Sequence, residues 1–502
     1  MTAKVLMVQG TSSSVGKSLL TAALCRIYTL KGLRVAPYKA QNMSNNAAVC
    51  PDGSEIGRAQ AVQAIACDLE PTAEMNPILL KPEADTRSQV IVMGRPWGNP
   101  TAREYYKYRD EMWGIATGAL DRLREQYDLI IMEGAGSPVE LNLKAGDIVN
   151  MAIASYAQAA VLLAGDIDRG GIFAQLLGTL WLLPPEERAL VKGLLVNKFR
   201  GDPTLFVDGV RILEERGNVP VLGVIPWLPD LAVPEEDAVA LDTPALRGTG
   251  PLSEGQVDIA VVHLPHIANF DDFDPLAAEG GVRLRYASSV EELGQPQAII
   301  LPGTKSTLAD LAWLCATGLA DAIIQHARQG AAVVGICGGY QMLGHAIYDP
   351  QHVESWAEYA PGLGLLPVET TFEGQKATYQ ARATVVGGPG WLAHAAGQRL
   401  EGYEIHMGRT VGKSPWLDIA RRDQQSTPVS DGSASADGRV WGCYLHGLFA
   451  SARFRQAWLA SLGWHEQAAG QGHDVLKQLD HLAAAVEKEL NMELLEKIIW
   501  ER

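Results

Sequence analysis

The chain has 502 residues, enough for two to four domains, and its 47% hydrophobic and 20% charged content is that of an ordinary soluble globular protein. With 42 basic against 58 acidic residues the net charge is −16, which argues against polyanion binding as a main task, and no aromatic-basic stripe offers a nucleic-acid surface. No apolar stretch reaches the ~18–20 residues of a membrane span, and the opening MTAKVLMVQG lacks a signal-peptide core. The six cysteines are scattered without a CxxC pair, so the expectation is a reducing cytoplasm, with no zinc site, disulfide framework or membrane partner.

In chain order, short apolar runs predict strands at residues 5–9, 34–38, 128–132, 159–164, 193–197 and 219–224, with helices between them such as 18–30 and 56–69. This alternation predicts an α/β domain over residues 1–230, a largely parallel sheet covered by helices on both faces. Residues 231–256 belong to a stretch rich in proline, glycine and acid, and are expected to link two domains. Apolar strands return at 257–263, 298–301, 331–336 and near 440–445, predicting a second α/β domain over 257–465. Residues 466–502 form a helical extension, with an amphipathic helix from 475 expected to pack on the second domain.

The run GTSSSVGKS, Gly10 to Ser18, follows the first strand and opens the first helix. Glycines let the backbone approach phosphate, successive N–H groups form an anion nest, and the helix N-terminus adds a favourable dipole. Gly10, Thr11, Gly16, Lys17, Ser18 and Leu19 are thus the candidate ATP site, with Lys17 on the β- and γ-phosphates and Ser18 on Mg²⁺. Five residues separate Gly10 from Gly16-Lys17, one more than in the common phosphate loop. Glu133, in LIIMEGAGSP, lies just past a strand and is the second candidate Mg²⁺ ligand. Asn197 and Lys198, in VNKFRGD, end another strand; Asn197 is a candidate for the adenine edge, with Lys198 packing nearby. Asp147 and Asp166 are further loop acids suited to Mg²⁺ or to the acceptor substrate. The longer loop and the EGAG stretch resemble dethiobiotin synthetase and its relatives, in which ATP activates a carboxylate.

GICGGYQ, Gly335 to Gln341, sets Cys337 at a glycine-rich corner between an apolar strand and a helix. Such a turn exposes a nucleophile and points a helix N-terminus at it, although a buried structural cysteine fits the local sequence equally well. An unperturbed thiol is only a few per cent ionised at neutral pH, so a nucleophilic cysteine needs a base. His446, in YLHGLF just past a strand, is the favoured base, and His406, in EGYEIHMGRT, is the competitor. Gly338 and Gly303, the latter in ILPGTKST, are candidate sources of an oxyanion hole. These stretches resemble class I-type glutamine amidotransferases, which cut ammonia from glutamine through a cysteine thioester. Many members carry His-x-Glu; Leu448 occupies that place here, so the resemblance supports a Cys337–His446 dyad and leaves a third acid open.

A carboxylate-activating domain joined to an ammonia-releasing domain makes an amide. VQGTSSSVGKS, PYKAQNMSNNA, GICGGYQMLG, EGYEIHMGRT and YLHGLF, taken in order over residues 4–450, resemble the cobyric acid synthase family of cobalamin biosynthesis. That resemblance implies ATP- and glutamine-dependent amidation of the b, d, e and g carboxylates of adenosylcobyrinic acid a,c-diamide. It makes Gln41, Asn42 and Asn45 candidates for hydrogen bonds to corrin amides, where asparagine-rich loops otherwise signify turns. The alternatives are cobyrinic acid a,c-diamide synthase and a regulatory P-loop ATPase with an inactive second domain.

Overall fold

The computed structural model describes residues 2–84, 87–228, 255–412, 414–421, 429–465 and 474–501; nearly all of the predicted linker lies outside them. Six parallel strands form the first sheet: β1 (Lys4–Gly10), β2 (Val35–Tyr38), β3 (Leu129–Glu133), β4 (Ala160–Asp166), β5 (Val191–Phe199) and β6 (Val221–Pro226). Their order is β6-β5-β4-β1-β3-β2. Residues in β3 and β4 are buried without exception, the signature of a sheet covered on both faces. Helix α1 (Lys17–Leu30) leaves the carboxyl end of β1 directly, so the phosphate-loop residues lie at the edge where open α/β sheets bind ligands.

The second domain has a parallel core of β7 (Val257–Val262), β8 (Val282–Ala287), β9 (Ala298–Leu301), β10 (Ala332–Ile336) and β11 (Val440–Cys443), ordered β8-β7-β9-β10-β11. A short strand, Ser433–Ala434, closes it antiparallel to β11. Beside this core stands a mostly antiparallel sheet built on a long hairpin, Val368–Val385 with Arg399–Gly412. A smaller mixed sheet in the first domain contains Gln41–Met43, Ile78–Ala84, Arg87–Val92 and Arg95–Gly98. The alternating sequence pattern does not announce either of these sheets.

The C-terminal region corrects the expectation drawn from sequence. It forms two helices, α4 (Val475–Glu489) and α5 (Met492–Trp500), and both join the core of the first domain. Helix α4 buries Leu479, Leu482, Ala483 and Val486 in the core that holds the apolar face of α1; each large side chain contributes about 1.5–3 kcal/mol. Asp480 bonds Arg26 at 2.6 Å and Glu496 bonds Lys31 at 2.8 Å, so charge as well as apolar surface matches α1. Leu490 bridges to Gly223 on β6, completing the attachment.

The two domains share a closed interface. Ala47, Val49, Leu79 and Ile91 of the first domain form one apolar cluster with Tyr403 and Ile405 of the second. At its edge the buried Glu55 carboxylate lies between Lys81, at 2.7 Å, and Lys376 from the long hairpin. Burial works against this carboxylate, but Lys376 and Lys81 outweigh it and hold Glu55 down at about 2. Lys305 in turn pairs with Glu83 at 2.7 Å, again across the domains.

Candidate active site

Gly16 has φ +94°, a backbone open to glycine, and an added Cβ would lie 2.3 Å from the Asn197 amide. Asn197 Nδ2 donates to the Val15 carbonyl at 2.8 Å, and Lys198 Nζ donates to Ser14 O at 2.6 Å, so both brace the phosphate loop from β5. Lys17 Nζ donates to Ser12 O at 2.9 Å and Gly136 O at 3.2 Å, which places its charge between the loop and the EGAG turn. Gly10 ends β1, and Thr11 bonds Gln175 through its hydroxyl at 3.2 Å; Leu19 is the third residue of α1.

Glu133 ends β3 opposite Val8 of β1, which brings its carboxylate beside the loop. Ser18 Oγ donates to Glu133 Oε1 at 2.9 Å. Lys39 Nζ donates to the same oxygen at 2.9 Å, and Gln63 Nε2 donates to Oε2 at 2.6 Å. Burial opposes this charge, but Lys39, Gln63 and Lys17 together hold Glu133 below the usual carboxylate range. An ionised carboxylate touching a hydroxyl at a phosphate loop is the donor set that octahedral Mg²⁺ uses together with substrate phosphates and water.

Asp166 ends β4, buried, and pairs with Lys198 at 3.2 Å. Asp147 bonds the N–H groups of Val149, Asn150 and Ala152, so its oxygens serve its own turn. Asn42 is buried and donates to Gln60 at 3.0 Å, while Gln41 accepts from the Tyr105 hydroxyl at 2.6 Å. Asn45 keeps a buried carbonyl oxygen without a hydrogen-bond partner.

Cys337 occupies the corner between β10 and α3 (Gly338–Leu343), at φ +52° and ψ −111°. A non-glycine residue in that conformation carries about 1–3 kcal/mol of strain, held in place by the surrounding structure. Cys337 N donates to Cys443 O at 2.9 Å, and a Cβ at Gly339 would sit 2.0 Å from Leu301 O, so the elbow closes only over glycine. His446 follows β11, whose Cys443 is in register with Ile336, and so faces the same corner. Its Nδ1 bonds Asp272 Oδ2 at 2.6 Å, while Nε2 is buried with no hydrogen-bond partner. The ring stacks on Tyr403, with centroids 5.0 Å apart. Burial opposes the imidazolium, but Asp272, aided by Cys337, outweighs it and raises His446 to about 10.

His406 is oriented differently. Its Nδ1 bonds Gly408 O at 2.8 Å, its Nε2 faces Glu404 at 3.4 Å, and the ring stacks on Tyr444. Gly303 packs against His446, and Gly338 packs against Thr304, which brings the two expected glycine loops together around Cys337. One cavity joins Cys337, His446, Gly303 and Gly338 to Gln341, Glu354, Lys305 and Lys376, and first-domain residues Lys81 and Glu83 also line it. Burial pushes Glu354 up to about 7.

Sequence reasoning missed Asp272, Lys39, Gln63 and Gln341. Asp272 lies in NFDDFD, an acidic turn just past β7, whose position after a strand was the available signal. Lys39 lies inside the KAQNMSNN stretch, where the amides drew attention away from it.

Two family models cover the two halves. Residues 6–239 match the CobQ/CobB/MinD/ParA nucleotide binding domain, and residues 258–454 match the CobB/CobQ-like glutamine amidotransferase domain. Fold and site thus define an ATP-using ligase fused to a glutamine amidotransferase. Among curated proteins, the chain is 57% identical over 491 residues to the cobyric acid synthase of Roseiflexus castenholzii, covering 97% of this chain and 98% of that one. It is 55% identical to that of Herpetosiphon aurantiacus, over 99% of both chains, and 50% identical to that of Dehalococcoides mccartyi, also over 99% of both. The chain belongs to the cobyric acid synthase family. Among the described residues no single helix is long and apolar enough to cross a membrane.

Proposed function

We propose that the protein amidates the b, d, e and g carboxylates of adenosylcobyrinic acid a,c-diamide to give adenosylcobyric acid, using one ATP and one glutamine for each amide. The observation that carries this reading is one chain holding a phosphate-loop site at Glu133 and a cysteine–histidine–aspartate site at Cys337, within the family named above. The first domain, residues 1–230, would be the ligase and the second, 257–465, the glutaminase.

In the second domain His446 holds a proton on the side facing Cys337, so the sulfur attacks the glutamine side-chain amide as thiolate. N–H groups of the Gly303 and Gly338 loops receive the developing oxyanion. The imidazolium then protonates departing ammonia, and water resolves the thioester. Glu354 and the neighbouring Lys305 and Lys376 suit the ammonium and carboxylate of an amino acid. In the first domain Lys17 draws the γ-phosphoryl group toward a substrate carboxylate, and ammonia displaces phosphate from the acyl phosphate. Mg²⁺, held by Ser18 and Glu133, would supply charge neutralisation on the phosphates. Ammonia is mostly protonated at neutral pH and is lost by diffusion, so fusing the two sites raises its effective concentration.

The test is mass spectrometry of the corrinoid after incubation with glutamine and Mg-ATP. Four successive exchanges of a carboxyl OH for NH₂ are expected from the a,c-diamide. Two exchanges on unamidated cobyrinic acid, with none on the diamide, would assign the a,c-diamide synthase activity instead.

His446→Ala is expected to lower glutamine hydrolysis by about 10²- to 10⁴-fold and His406→Ala far less; the reverse ranking in a steady-state glutaminase assay would reassign the base. Asp272 raises His446, so the imidazolium persists below about 10 and is lost above it. Asp272→Asn should therefore move the alkaline limb of glutaminase kcat/KM to lower pH.

A further inference from the structure

We infer that Arg58 and Asn46, both in the ATP-binding domain, are positioning residues for the glutaminase: they hold the loop that carries Asp272 against His446. This rests on the glutaminase assignment made above and names first-domain residues on which that site depends.

Asp272 lies in a short 3-10 turn, Phe270–Phe273, that opens at Asn269, itself at φ +53°. Its two carboxylate oxygens are both engaged, Oδ2 by His446 Nδ1 at 2.6 Å and Oδ1 by the Gly447 N–H at 3.0 Å. A displacement of this turn therefore moves the histidine's orienting group. Phe270 and Phe273 seat the turn in the second-domain core, and the polar side chains beside Asp272 are held from across the interface. Asn269 N donates to Asn46 Oδ1 at 2.6 Å, and Ala47 N returns a bond to Asn269 Oδ1 at 3.0 Å. Arg58 Nη2 pairs with Asp271 Oδ2 at 2.6 Å, where the Asp271 side chain is only 2% exposed.

The charge arrangement explains why an arginine is needed. Asp271 and Asp272 are adjacent buried carboxylates, and only one of them faces the histidine. Burial and the neighbouring Asp272 push Asp271 upward, while Arg58 opposes that push. Without the guanidinium, Asp271 would be a buried charge with no cation beside it; it would then take up a proton or draw the turn toward water. Either response disturbs Asp272. Around the imidazole the polar groups are Asp272, Cys337 and the Tyr403 ring, with Arg58 and Asp271 behind them.

Arg58 begins α2 (Arg58–Ala66), and its N–H bonds Asn46 O at 3.1 Å, so the latch is one unit. The same helix carries Gln63 to Glu133. The glutaminase loop and the ATP-site acid are thereby attached to a single rigid element.

The experiment uses the full-length protein, with glutamine hydrolysis and ammonia-driven ADP release measured side by side. Arg58→Ala should lower glutaminase kcat by about 10- to 100-fold, with KM for glutamine little changed and ammonia-driven turnover retained. Its alkaline limb should move to lower pH, as expected for Asp272→Asn, because displacing the turn takes Asp272 away from His446. Arg58→Lys, which keeps the charge, should recover part of kcat, and Asn46→Ala should reproduce the defect without altering charge. Wild-type glutaminase in Arg58→Ala would overturn the inference. So would equal loss of glutamine- and ammonia-driven turnover with a lowered Tm, which would assign Arg58 to folding alone. Absence of glutaminase in the wild-type protein would instead sink the functional reading beneath it.

Discussion

The Cys337→Ala protein is expected to lose glutamine-driven amidation and to keep amidation driven by ammonium salts at alkaline pH. In the proposed mechanism the thiolate bonds the glutamine carbonyl carbon, and neither histidine of the cavity stands in for it: His446 Nδ1 is engaged by Asp272, and His406 by Gly408 and Glu404. Removing a nucleophile of this kind costs about a millionfold in rate. The ligase site stands on different elements, at the ends of β1 and β3, and does not use the sulfur. Free ammonia at high pH should therefore still reach the acyl phosphate. Comparing product formed from glutamine and from ammonium chloride decides the matter. Loss of both would overturn the two-site scheme, because it would mean that Cys337 serves the ligase or the fold.

Lys17→Ala should stop amidation with either nitrogen donor. The Lys17 ammonium is anchored by Ser12 O and Gly136 O, one on each side of the space over the phosphate loop. In the proposed mechanism that anchoring sets it in advance where charge builds on the transferring phosphoryl group. Losing one preorganised donor of this kind costs about 10²- to 10³-fold. Glutamine hydrolysis should survive, since Cys337, His446 and Asp272 lie on the second domain. ADP release and product formation, each measured with both donors, separate the two halves of the chemistry; unchanged turnover would remove the phosphate loop from the mechanism.

Much of this arrangement is readable from residues alone, and the reason is local. GTSSSVGKS and GICGGYQ each combine a buried strand, a forced glycine turn and a helix start, so neighbouring residues dictate their geometry. The six strands of the first sheet stand within a few residues of their expected places because parallel strands buried over most of their length read as apolar runs. Asp272 was hidden for the opposite reason. It is 174 positions from His446, and only the close approach of the turn after β7 to the end of β11 brings them together. The acid that bonds the histidine, Asp272, comes from a turn downstream of β7 and not from the position that Leu448 occupies. In the asparagine-rich stretch, whose Gln41, Asn42 and Asn45 are substrate candidates, Asn42 bonds Gln60, Asn45 Oδ1 has no hydrogen-bond partner, and the neighbouring Asn46 bonds Asn269. The long hairpin Val368–Val385 with Arg399–Gly412 was also missed: its strands include polar, partly exposed residues and pair mostly with each other.

The return of α4 and α5 to the first domain has a consequence for biosynthesis. The ATP-binding half is completed by a segment translated after the whole glutaminase half, so its core along α1 and β6 lacks that cover while the glutaminase half is being made. Domains generally mature in order from the N-terminus during translation. Here the order is inverted in part: the second domain has its residues available first, and the first domain closes only when Leu479, Leu482, Val486 and Leu495 arrive. The ATP-binding half is not one uninterrupted piece of chain; the glutaminase half is continuous but lies between its two parts. The chain passes out of the ligase, through the glutaminase, and back, so covalent continuity itself keeps the source of ammonia and its consumer in one molecule.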